Sequence, residues 1–174
     1  MADAREENLV SKKAFSSELE RALARPDVKD LLKALHDHKA WGDLMRSDPK
    51  EAERREGEFD NWLIFERQDT DLMFALVALA LNSYDDPDFL GLMAAGPLED
   101  LLLAFTENPN GEWQAGSPSD EVFARVMLEA KLSRRYRWML NGVYTTHLTS
   151  QQAKLFKKNV EKIAWDDFPS RDEP

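Results

Sequence analysis

The chain reads as an all-α protein, and three observations predict this. Leu and Ala occur 23 and 19 times, whereas Val, Ile and Thr together occur 14 times. Unbranched side chains lose little rotamer freedom in a helix, while β-branched ones favour strands. Apolar residues recur at i, i+3, i+4 and i+7, and no region sustains period-2 alternation. Four prolines follow cap-type residues, at Asp48-Pro49, Asp86-Pro87, Gly96-Pro97 and Ser117-Pro118. Proline suits a first helical turn because the N–H it lacks would have no partner there. The expectation is a single compact multi-helix domain of about nine helices, as an orthogonal bundle or as HEAT-like helix pairs.

Residues 1–10 are expected to be frayed, 11–165 to form the helical domain, and 166–174 to form a flexible tail. A first helix over 12–24 places Phe15, Leu19, Ala22 and Leu23 on one face, and Pro26 ends it. Asp27 opens a second, with Val28, Leu31, Leu32 and Leu35 in helical register. A third covers 49–66 and carries Phe59, Trp62 and Leu63. The segment 71–82 is apolar nearly all round, which marks a central helix. A short helix spans 87–95, and Gly96 is expected to end it in a left-handed turn before Pro97 starts the next. Residues 106–117 read as a polar loop containing Trp113. Helices over 118–131 and 134–141 follow, the latter closed by Gly142. The last, 150–164, turns Ala153, Phe156, Val160 and Ile163 inward and its lysines outward. Asp48 with Glu51, and Thr149 with Gln152, have capping-box spacing.

Charge is unevenly distributed. Of the net −10, residues 61–130 carry 13 acids against Arg67 and Arg125 alone, and residues 131–174 carry nine bases against five acids. Either the basic region packs on the acidic middle, or the acids face a basic partner. The longest apolar run, Leu72 to Leu81, falls short of the roughly 20 residues that a membrane span needs. Met1 to Ser17 is charged throughout, with no apolar stretch of the secretory kind. The absence of cysteine excludes disulfides and thiolate metal sites and fits a cytoplasmic setting.

No catalytic set emerges. His36 and His38 are about 200° apart on a helix and cannot share an ion, so no metal site and no cofactor are expected. Asp85, Asp86 and Asp88 stand at a helix start, where acids cap and offset the macrodipole. They and Trp113 are the candidates for contact with a partner. Arg134, Arg135 and Arg137, interleaved with Tyr136 and Trp138, could serve phosphates and bases. The surrounding negative charge argues instead that they pair with Glu99 or Asp100.

The run Ala94-Ala95-Gly96-Pro97-Leu98-Glu99-Asp100-Leu101-Leu102 is followed by Glu129-Ala130, Ser133, Arg135-Tyr136-Arg137, Leu140 and Gly142-Val143-Tyr144, with Trp62-Leu63-Ile64 upstream. Over about residues 60–144 this order resembles the bacterial domain of unknown function 6869 family, with Tyr144 where that family usually has Trp. The resemblance implies no known activity. From charge and the missing catalytic set, the expected function is that of a non-catalytic acidic binding protein. An immunity or antitoxin-like neutraliser of a basic protein in bacteria fits, with neither nucleic acid nor membrane as partner. A scaffold or regulatory subunit, a carboxylate-based hydrolase or nuclease, and a DNA-mimic inhibitor are the alternatives.

Overall fold

The computed structural model describes residues 17–55, 69–104, 106–107, 109–160 and 162–170. Among them are eight helices. They are α1 (Ser17–Leu23), α2 (Val28–Ser47), α3 (Pro49–Arg55), α4 (Thr70–Ser83), α5, α6 (Asp120–Leu132), α7 (Arg134–Leu140) and α8 (Ser150–Asn159). Helix α5 is composite: Pro87–Met93, a π-helical turn Ala94–Leu98 and Glu99–Leu103 run on as one element. The all-α class therefore stands. The exception is a two-residue antiparallel pairing of β1 (Thr106–Glu107) with β2 (Trp113–Gln114), inside the segment read as a loop. The expected stripe at Phe59, Trp62 and Leu63 lies outside the described residues.

Helix α4 is the centre. Leu72 to Val77, Leu79 and Ala80 are all buried. The helix touches α1, α2 and all three parts of α5, so it has almost no polar side to spare. Asp69 caps its start by accepting from the Leu72 N–H at 2.9 Å. The same chemistry starts other helices. Asp86 accepts from Asp88 and Phe89 N–H ahead of Pro87, and Thr149 and Gln152 form the full reciprocal capping box. At the fourth proline pair the cap is Ser119 rather than Ser117. The Ser117 hydroxyl donates instead to the His147 carbonyl.

The Gly96-Pro97 junction departs from expectation. Gly96 is not left-handed; the chain stays right-handed helical on both sides of it. Pro97 cannot donate to the carbonyl four residues back, and its ring crowds that group. Widening the helix by one residue into a π turn absorbs both effects without breaking the rod. The left-handed helix end falls at Ala104, with φ of 41°, and Gly116 N–H closes on the Leu103 carbonyl at 2.7 Å.

Three outward positions also differ from the periodicity. Leu23 is 52% and Leu32 37% exposed, because each sits at the edge of its apolar stripe. Helix α8 stops at Asn159, and Ala153 faces solvent. Val160 and Ile163 still reach the core, but by leaving the helix for an extended path. That path continues as a strap over α5 and α7. Residues 166–170, read as part of a loose tail, include buried Pro169 and half-buried Phe168; residues 171–174 lie outside the described set.

Candidate functional site

The acids at the start of α5 divide by partner. Asp86 caps the helix and also pairs with Lys39 of α2 at 2.8 Å, and these hydrogen bonds hold its carboxyl below the usual range against the cost of its partial burial. Asp85 pairs with Arg135 of α7. Asp88 is exposed and has no ion-pair partner among the described residues.

Arg135 is 3% exposed and fully engaged. Its Nε donates to the Pro169 carbonyl at 2.9 Å, Nη1 donates to the Tyr84 carbonyl, and Nη2 takes Asp85. Its guanidinium also stacks over the Phe168 ring at 4.6 Å. One cation thus ties α7, the α4–α5 turn and the strap together. Phe168 meets Trp138 edge-on, and Trp165 stacks flat on the same Trp138 at 4.2 Å between centroids. The Trp165 indole can come this close because two glycines floor its slot. A Cβ on Gly91 would stand 2.8 Å from the ring, and one on Gly142 would stand 3.3 Å away.

Trp165 nevertheless keeps 51% of its surface exposed, and Leu92, adjacent to Gly91 on α5, keeps 44%. Asp88 lies one helical turn before both Gly91 and Leu92, and exposed Asp166 follows Trp165 directly. Two exposed apolar side chains thus stand on and beside α5, Trp165 over Gly91 and Leu92 on the side that meets Gly42 of α2. Of the four residues expected to meet a partner, Asp88 is exposed one helical turn before Leu92 and has no ion-pair partner among the described residues. The side chain of Trp113 lies outside the described residues.

Glu99 and Arg135, two of the expected junction residues, take partners other than each other. Glu99 accepts from the Tyr144 N–H at 3.3 Å. Arg134 pairs with Asp167 of the strap at 3.1 Å, and Arg137 donates to the Ala130 carbonyl. Asp100 lies half-buried in α5. The acidic middle receives cations from the segments on either side of it at Asp85 and Asp86, the acids before the first turn of α5.

A second constellation was not singled out in the sequence. Where α1 meets α4, α6 and α7, Glu18 is 5% and Glu129 9% exposed. Arg125 grips Glu18 with two hydrogen bonds of 3.0 and 2.9 Å, reaches Asp71 at 2.8 Å, and lies 4.0 Å above the Phe74 ring. Ser17 Oγ donates to Glu129 at 3.2 Å. Burial pushes the Glu129 carboxyl up to about 7. The Tyr136 hydroxyl is buried with no hydrogen-bond partner among the described residues. Beside this cluster opens a cleft of about 600 Å³ between α1, α4 and α6. Its three arginines are all committed, Arg21 to Glu18, Arg25 to Asp27 and Arg125 to Glu18 and Asp71. An ion-paired wall results, not an anion cradle.

Among the described residues, no group of three metal-ligating side chains converges, and no helix is long and apolar enough to cross a membrane. No family model, curated protein or solved structure matches the chain. A signal for the buried cluster does exist in the sequence. Glu129 falls three residues after Val126 on the inward stripe of α6, where an acid has no business without partners.

Proposed function

We propose that this chain is a non-catalytic acidic binding protein that docks a basic protein partner, in the manner of a bacterial immunity or antitoxin-like neutraliser. The observation that carries it is the pair of exposed apolar side chains on and beside α5, Leu92 and the stacked Trp165, with exposed Asp88 one turn before Leu92 and exposed Asp166 next to Trp165. Interfaces concentrate their energy in a few apolar and aromatic anchors, and a charged border steers and orients the encounter. A rigid anchor adds to affinity because little freedom is lost on binding. Trp165 is held so by Trp138 on one face and by two glycines beneath. The partner would present cations around an apolar knob.

The test is capture from a lysate of the source cells on immobilised protein, against a Leu92→Arg column. Leu92 is exposed enough that the variant should melt with the native protein. Wild type should retain a basic protein, and retention should collapse between about 0.01 M and about 1 M salt, as the screening length shrinks from about 30 to about 3 Å. The Leu92→Arg column should lose it at every salt concentration. Equal retention on both columns, or binding indifferent to salt, would overturn the proposal.

A further inference from the structure

We propose that the Glu129 carboxyl is a proton-controlled latch for α1: protonated, it holds the start of that helix in the core, and ionised, it loosens it. The geometry supplies the reason. Glu129 reaches across from α6 to the first residues of α1, where the Ser17 hydroxyl and the backbone N–H of Glu18 point at it. The other polar anchor of α1 is Glu18, held by Arg125.

The charged groups facing Glu129 come from each neighbouring element. Helix α1 supplies Glu18 and Arg21, α6 itself supplies Arg125, and α4 adds Asp71 through Arg125. Helix α7 turns the Tyr136 hydroxyl towards it. Arg21 and Arg125 are already matched by Glu18 and Asp71. The cluster is therefore neutral while Glu129 carries its proton. Ionisation adds one buried negative charge, with Glu18 as its neighbour and no cation of its own among the described residues. Buried charges of this kind are tolerated only when paired. Tyr136 cannot relieve it by titrating, because burial and the two glutamates keep its hydroxyl protonated well above the usual range.

The sign follows from where the proton is held. Burial first, then the Glu18 charge, raise Glu129 from 4.5 to about 7, while the Ser17 hydroxyl, Arg21 and the Glu18 N–H pull the other way. The docked state thus binds more protons than the undocked one between these values. Docking is tightest below about 4.5, weakens as pH rises through about 7, and is level above that.

The chain lacks cysteine, so Ala22→Cys places a single thiol on α1 at a position that is 1% exposed. Its labelling rate, divided by the rate in denaturant at the same pH, measures undocking free of the thiol's own titration. Protection is expected to fall by at least about tenfold between pH 5.5 and 8.5, since one unit of differential proton affinity is a factor of ten. With Glu129→Gln added, it should stay within about threefold across that range. A fall of equal size in both chains, or level protection without the second substitution, would overturn the latch. Should either variant fail to fold, amide exchange in the unaltered protein decides. Protection lost with pH at Ala22 and Leu23 but kept through Met73–Ala80 supports the proposal, and parallel behaviour of the two helices overturns it.

Discussion

Helix α4 and the contact of α1 with α6 and α7 are both buried, yet they are held by different means. Through Leu72–Ala80 the chain presents apolar side chains to every neighbour, and nothing there titrates or needs a particular partner. At the other contact, two carboxyls and a phenol occupy buried positions and a half-buried guanidinium joins them. Apolar burial is non-directional and tolerates small shifts. A buried charge network keeps its value only while each member keeps its partner. The first region gives a framework insensitive to pH and salt, and the second gives a contact that conditions can change.

The comparison is broken most directly in α4. Leu76 is fully buried, and Leu76→Ala should cost about 3–4 kcal/mol through lost transfer energy plus the cavity left behind. Urea denaturation should give the same loss at pH 5.5 and at pH 8, since the Leu72–Ala80 stretch carries no titrating side chain. A loss that varied with pH would mean that the two regions are coupled. In the polar contact, Arg125→Met removes the cation that holds Glu18, a carboxylate with 5% of its side chain exposed. The expected cost is about 2–3 kcal/mol, below that of breaking a fully buried pair because Arg21 still reaches Glu18 from the surface. Adding Glu18→Gln should recover a large part of that cost, because the orphaned charge goes with it. A double variant no more stable than Arg125→Met alone would show that the Arg125 stem and its contact with Phe74 carry the energy instead.

The same division sets what the sequence made legible. The α4 helix, the Asp86-Pro87 start and the Thr149–Gln152 box could be read directly because each depends on residues a few positions apart. The Gly96-Pro97 turn misled because the local rule allows two outcomes, a broken helix or a widened one, and packing against α4 and α7 selected the second. Arg135 was picked out as a structural cation, but its partners Asp85 and Pro169 lie 50 and 34 residues away, a separation no spacing rule spans. The Trp165 slot was hidden for the same reason. Gly91 reads locally as a helix residue and Gly142 as a helix stop, and only the returning strap shows what their missing side chains admit. In Glu129 the signal was present as an acid on an apolar stripe, but the partners that make it a site come from α1 and α7.

The smallest expected effect is also the sharpest test of how polar that contact is. The Tyr136 ring is 2% exposed and its hydroxyl has no hydrogen-bond partner among the described residues. An unpaired buried hydroxyl costs about 1–3 kcal/mol of desolvation, whereas a bonded one contributes about 1 kcal/mol. Tyr136→Phe keeps the ring and deletes only that group, so stability should be unchanged or rise by up to about 1 kcal/mol in urea denaturation at pH 5.5. At that pH Glu129 holds its proton, so the comparison is made with the cluster neutral. A loss approaching 1 kcal/mol or more would mean that the hydroxyl is bonded in solution, with the Glu129 carboxyl as the acceptor nearest in charge and burial. In that case the polar contact would be more fully satisfied than its geometry shows, and α7 would belong to the latch instead of serving as its apolar backing.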